Sequence, residues 1–172
     1  MIYKVLRDEN TYFIAGGYRF DTESVATKAT FFYDMATDTW TEGPDMLEQR
    51  AHHRCEVFMN PATNSMNIIL MGGYDYETQT SLDSTELWDL NGGTEWTYGP
   101  KVPMAVRNPA SVSLGESVVL IGGMGPDESL SDQLNELVCG DDGCFWVTLE
   151  QSMKHPRWGH VAMLIPDDLA GC

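Results

Sequence analysis

Long apolar runs are missing from this chain of 172 residues. Stretches such as "VVLIGGM" fall far short of the ~20 residues that a membrane-crossing helix needs. Basic residues are scarce. Ten Lys and Arg stand against 26 Asp and Glu, for a net charge of −16. That balance repels nucleic-acid phosphates and anionic lipid surfaces, so neither is expected as a partner. It leaves a cationic partner or a solvated acidic surface. The opening "MIYKVLRDEN" meets charge before any apolar stretch forms, so it does not read as a signal peptide. Catalytic signatures are also absent. There is no G-x-S-x-G elbow and no H-E-x-x-H zinc helix; the serine of "LGESVV" lacks the second glycine.

Aromatics and paired glycines are plentiful. "IAGGY" carries Gly16 and Gly17, "LMGGY" carries Gly72 and Gly73, and "LIGGM" carries Gly122 and Gly123. Each pair closes an apolar run. No phosphate-cradling pattern, G-x-G-x-x-G or G-x-x-x-x-G-K-[ST], follows any of them. They read instead as structural punctuation, places where another group must come close to the backbone; the ring of the repeat's own tryptophan is the expected visitor. Trp40, Trp96 and Trp146 each lie 24 positions after the first glycine of their pair. Arg50, Arg107 and Arg157 follow those tryptophans by 10, 11 and 11 residues. A recurrence of several landmarks about every 50 residues marks a repeat architecture.

The combination of apolar strand, Gly-Gly, loop, apolar or aromatic strand, turn and Trp resembles the kelch repeat. The likeness covers nearly the whole chain. The third unit departs from it, with Val138 and Cys139 near the place of Tyr33-Asp34 and Trp88-Asp89, and with no counterpart to "TEGP" and "TYGP".

Each unit reads as four short strands separated by turn residues, which predicts an all-β, kelch-type β-propeller segment. The expected repeats are 1–45, 46–102 and 103–150. An extra strand is expected in "RWGHVAMLI", within a tail of 151–172. Closed propellers have about four to eight blades. Three blades leave an apolar face open at each end. The chain is therefore expected to be a piece of a longer propeller, with pairing of two chains into six blades or a free-standing arc as alternatives.

In an up-and-down blade, the loop between strands two and three shares one end with the link to the next blade. That face collects Tyr18, Tyr74, Tyr76, Arg50, Arg107 and Arg157. Aromatics and arginines on rigidly held loops are typical interaction hot spots. The kelch resemblance implies the same, since such propellers bind protein ligands there, often through arginines near the first strand. A structural role competes for the arginines, which could instead fix the spacing of the blades.

Cys139 and Cys144 bracket "GDDG" across a hairpin, at a separation suited to a disulfide. Cys55 and Cys172 form a second, more distant candidate pair. The close pair leans toward an extracellular compartment, with a cytoplasmic chain as the alternative. "AHHRCE" offers His52, His53 and Cys55, but strand alternation splits the histidines between two faces, so no metal site is expected. The expectation is a non-catalytic protein-binding module without cofactor. A galactose-oxidase-like copper enzyme domain and a purely structural propeller part are the rivals.

Overall fold

A computed structural model describes residues 2–4, 10–19 and 25–165. Among these residues the chain forms three four-stranded antiparallel sheets, each wound up and down. The first contains β1 (Ile2–Lys4) and β2 (Thr11–Ala15). A two-stranded ribbon of β3 (Tyr18–Arg19) and β4 (Val25–Ala26) projects before β5 (Thr30–Asp34) and β6 (Thr39–Glu42) complete the sheet. The second sheet has β7 (Arg54–Asn60) and β8 (Ser65–Met71), then a ribbon of β9 (Tyr74–Asp75) and β10 (Thr80–Ser81), then β11 (Thr85–Asp89) and β12 (Thr97–Tyr98). The third consists of β13 (Ala110–Ser113), β14 (Val118–Met124), β15 (Leu130–Gly140) and β16 (Gly143–Ser152).

Short polar side chains close the hairpins. Asp34 and Asp89 each accept the backbone N–H two residues on, at 2.7 and 2.8 Å, and Asn60 does the same at 3.0 Å. Such turns reverse the chain without leaving backbone donors unpaired. The third sheet closes its outer hairpin, around Asp141 and Asp142, in another way. There the Cys139–Cys144 disulfide ties facing residues whose Cα atoms are 4.0 Å apart, as the spacing predicted. Cys55 is buried between the first two sheets; its proposed partner Cys172 lies outside the described residues.

The sheets stack as blades around a shared axis. The inner strands β7 and β13 run side by side. They are joined by Ser111 Oγ donating to Glu56 at 2.7 Å and Ser113 Oγ donating to the Val57 carbonyl at 2.7 Å. Arg54 Nε donates to the Pro109 carbonyl across the same seam. Two apolar layers lie between blades. Phe13, Ala15, Ile68, Leu70 and Trp96 fill the first, with Phe32 and Trp88 packed against it. Phe58, Ile69, Met71, Val118, Leu120 and Leu137 fill the second, against which Trp146 and the disulfide pack.

Two expectations need correction. The segment "RWGHVAMLI" forms no strand over 157–165. A first strand needs the second strand of its own blade to bond with, and none follows among the described residues. The room beside each glycine pair is taken by a carbonyl from the following link, not by the tryptophan ring. Gly17, Gly73 and Gly123 donate their N–H groups to the carbonyls of Arg50, Val106 and Arg157 at 2.9, 2.7 and 2.9 Å. At Gly72, with φ +59, an added Cβ would sit 2.5 Å from the Val106 carbonyl oxygen, so only glycine fits.

The tryptophans do a different job. Trp96 Nε1 donates to the Pro44 carbonyl at 2.9 Å, and Trp146 Nε1 donates to the Pro100 carbonyl at 2.9 Å. Each indole thus reaches back to the Gly-Pro link of the preceding blade. Trp40, in the first blade, has no such blade before it among the described residues and stands 59% exposed.

Buried between these elements is His53, with neither ring nitrogen hydrogen-bonded. Burial, reinforced by the charges of Arg50 and Arg54, holds its pKa well below the ordinary histidine value. Below about pH 6.5 the unfolded chain takes up a proton that the folded chain refuses. Stability should be flat in this respect above pH 6.5 and should fall on acidification, by about 1.4 kcal/mol per pH unit at most. Urea unfolding of the wild type and a His53→Leu variant between pH 5 and pH 8 checks this. The wild type should lose stability relative to the variant toward low pH; parallel curves would show that His53 does not carry the dependence.

Candidate interaction face

Loops and links meet at one end of the blades, as strand direction requires. Ala51 pairs with Tyr74 and Arg107 with Met124 as isolated antiparallel bridges between each link and the neighbouring loop. The bridges set the repeat register. Arg50, Val106 and Arg157 are equivalent, each offering its carbonyl to a glycine pair. Arg107 is displaced by one residue and occupies the place of Ala51 and Trp158. The arginine landmark read from the sequence therefore does not mark one structural position, because spacing counted through a link of variable length cannot resolve a single-residue shift.

That shift separates the fates of the three arginines. Arg50 is completely buried, which removes it from the expected partner-contact set. Its guanidinium donates to the Gly72 carbonyl at 2.7 Å, to Ser84 Oγ at 3.1 Å and to Glu86 at 2.6 Å, with Glu48 at 3.1 Å. Glu86, also fully buried, accepts the backbone N–H groups of Leu47 and Glu48 at 2.6 and 3.0 Å. The pair clamps the first link to the second blade. Arg107 lies at the surface end. It sits 5.0 Å from the Tyr74 ring centroid, as a cation over an aromatic face. It donates to Ser81 Oγ at 3.2 Å and to the Met124 sulfur at 3.1 Å. Arg157 is exposed, and its Nε donates to the carbonyl of His155 at 3.3 Å.

The three tyrosines come together. Tyr18 and Tyr76 have ring centroids 4.5 Å apart, and Tyr74 meets Tyr76 edge-on at 4.9 Å. Tyr76 OH shares a 2.7 Å hydrogen bond with His52 Nε2. Partial burial pushes the Tyr76 phenol up, with neighbouring Tyr18 and Tyr74 adding to it. Burial lowers His52, against an opposing hydrogen bond from Asn108, and the Arg107 charge lowers it further. Both groups are neutral near pH 7.

A depression of about 430 Å³ opens among His52, Tyr74, Tyr76, Arg107, Asn108, Met124, Glu128 and Trp158. Five of these were not among the partner-contact residues expected from the sequence: His52, Asn108, Met124, Glu128 and Trp158. A signal was available for part of this set. His52, Asn108 and Gly159 all hold positive φ, at 58°, 50° and 66°. The His52 carbonyl accepts from Asn108 N–H, and the Asn108 carbonyl from Gly159 N–H, both at 2.8 Å. Asn and Gly are the residues that favour this conformation, and they stand here in phase. Among the described residues no group of three or more His, Cys, Asp or Glu side chains is arranged to hold a metal ion.

Four-stranded blades, glycine pairs that receive a neighbour's carbonyl, and a loop face at one end define a propeller segment of the kelch type. The solved structure of YjhT superposes on 87% of this chain and 51% of its own, with a TM-score of 0.70 at 15% identity. No family model matches the chain. Alpha-scruin of Limulus polyphemus is 34% identical over 116 residues, which is 65% of this chain and 12% of alpha-scruin. Beta-scruin of the same organism is 30% identical over 123 residues, 72% of this chain and 12% of beta-scruin. Kelch-like protein 34 of Homo sapiens is 29% identical over 143 residues, 81% of this chain and 21% of that protein. The chain belongs to the kelch-repeat family. It spans about an eighth to a fifth of the length of these relatives.

Proposed function

We propose that this chain is a non-catalytic protein-binding module whose loop face receives a protein partner. The kelch-repeat relatives support an interaction or structural module in general. The observation that carries the finer reading is the surface Arg107–Tyr74–Tyr76–His52 cluster around an open depression. Aromatic rings bring large contact area at little entropic cost, and the guanidinium brings directional donors. Both are held by backbone bridges, so little ordering is needed on binding. Within a chain of net charge −16, Arg107 stands in this depression beside Glu128, which suits a partner segment whose polar groups answer both charges and whose apolar or aromatic side chains meet the rings.

Display selection of random peptides on the immobilised protein tests the reading. Enriched peptides should bind at least tenfold more weakly to an Arg107→Ala/Tyr74→Ala double variant, while its thermal midpoint stays within a few degrees of wild type. Each truncation is expected to cost about 1–2 kcal/mol of binding if these are hot spots. Peptides that bind both proteins equally would place recognition elsewhere and leave a structural role for the cluster.

A further inference from the structure

A propeller normally leaves only short, protected strand edges at its rim. The outer strands of the first two blades keep to this: β6 has four residues and β12 has two. The outer strand of the third blade, β16, runs for ten. Blades pack against one another through their faces, so a strand edge at the rim stays open whatever stands on either side of its blade. This edge is regular over residues 143–148, each paired in step with β15, before a bulge begins.

Register says which backbone groups the edge offers. Cys139 and Cys144 face each other with Cα atoms 4.0 Å apart, the close spacing of a pair that exchanges no backbone hydrogen bonds. Alternation gives Trp146 and Thr148 the same setting. The N–H and C=O groups of Cys144, Trp146 and Thr148 therefore point away from β15, and no backbone partner meets them among the described residues. Such a row is a template for another strand, and natural edges are commonly guarded by lysine or proline. β16 holds neither. Between Asn108 and Met153 the sequence has eight Asp and Glu and no Lys or Arg. Asp141 and Asp142 stand exposed at one end of the edge and Glu150 at the other, none of them ion-paired among the described residues.

We infer that the β16 edge takes up an extended segment of a partner protein, with Lys or Arg flanking an apolar, β-branched centre. Added as a fifth strand, the segment bonds to the outward groups through its main chain, while its flanking cations meet the carboxylates at both ends. Charge decides the occupant. A second copy of this chain would bring its own eight carboxylates against the same blade, with a net charge of −16 on each side. The inference goes beyond the proposed function and does not rest on it, since the edge lies at the rim and the loop face at one end of the blades. The attraction is between exposed charges, so uptake should weaken as salt is raised.

Amide hydrogen exchange of the chain, followed by NMR with and without the peptide Lys-Val-Thr-Val-Thr-Val-Lys, tests this. The amides of Cys144, Trp146 and Thr148 should exchange at least tenfold more slowly at saturating peptide, with those of Tyr74 and Arg107 unchanged. Replacing the peptide's lysines with glutamates should weaken binding at least tenfold. So should Thr148→Pro, which removes one outward N–H and leaves the ladder to β15 in place; circular dichroism confirms that this variant is folded. The Arg107→Ala/Tyr74→Ala double variant should take up the peptide as the wild type does, which keeps this result separate from that of the loop-face selection. Unchanged exchange at millimolar peptide, equal binding of the glutamate peptide, or protection that rises with protein concentration in the absence of peptide would each overturn the inference, the last in favour of a second copy.

Discussion

Replacing Arg50 with methionine is expected to destabilise the protein by about 3–5 kcal/mol, the cost typical of removing one partner from a buried ion pair. Total stability of a domain this size is about 5–15 kcal/mol, so much of the molecule would unfold near physiological temperature. The cause is the carboxylate left behind. Glu86 is fully buried and would lose its 2.6 Å contact with the guanidinium. The Gly72 carbonyl and Ser84 would lose donors in the same step. A double variant, Arg50→Met with Glu86→Leu, removes the stranded charge and should recover part of the loss. Recovery should stay incomplete, because the backbone N–H groups of Leu47 and Glu48 then lose their acceptor. Arg107→Ala, at the surface, should move stability by less than about 1 kcal/mol. Thermal unfolding of the four proteins decides the matter. For a chain of this length the single Arg50 variant should melt about 6–20 °C lower. A shift no larger than that of Arg107→Ala would refute the buried clamp.

Trp96→Ala should cost about 3–5 kcal/mol, whereas the same change at Trp40 should cost less than about 1 kcal/mol within a single chain. The two residues hold one repeat position and differ in surroundings. Trp96 is 3% exposed and packs 6.0 Å from Phe13 and 5.7 Å from Trp88, ring centre to ring centre. Its truncation leaves a large cavity in the layer between blades and an unpaired Pro44 carbonyl. Trp96→Phe restores most of the volume and should leave only the hydrogen-bond loss, about 1 kcal/mol. Trp40 rests on Tyr33, 4.7 Å away, with its other side in solvent. Urea titration of Trp96→Ala, Trp96→Phe and Trp40→Ala at nanomolar concentration separates these effects, and equal losses at both alanine positions would contradict the difference in burial.

The glycine pairs show how far residue spacing reaches. Their recurrence located the end of each blade's second strand and indicated that something approaches the backbone there. The visitor's identity was out of reach. It is a carbonyl from a link some 30 residues later in sequence, and its arrival depends on how the blades stack. The tryptophans behave the same way. Their period was plain, but their hydrogen-bond partners, Pro44 and Pro100, belong to the previous blade. A signal did exist in "TEGP" and "TYGP", which recur after two of the tryptophans, but it was read only as a feature that the third unit lacks. The Cys139–Cys144 bridge was legible because both residues belong to one hairpin, where local register alone sets their distance.

The amino-acid order by itself determined the class of this protein: strands of four to a unit, the units in phase, and a loop face rich in tyrosine and arginine. These follow from alternation, turn residues and chain direction, all of which act over a few positions. Tertiary structure alone decided which arginine is available. A one-residue offset along the link buries Arg50 against Glu86 and leaves Arg107 over Tyr74, and spacing alone does not say which residue of the link turns inward. It decided too that Trp40 faces solvent while Trp96 does not. Burial is a property of what lies across the gap between blades, and a residue's own neighbours in sequence do not specify it.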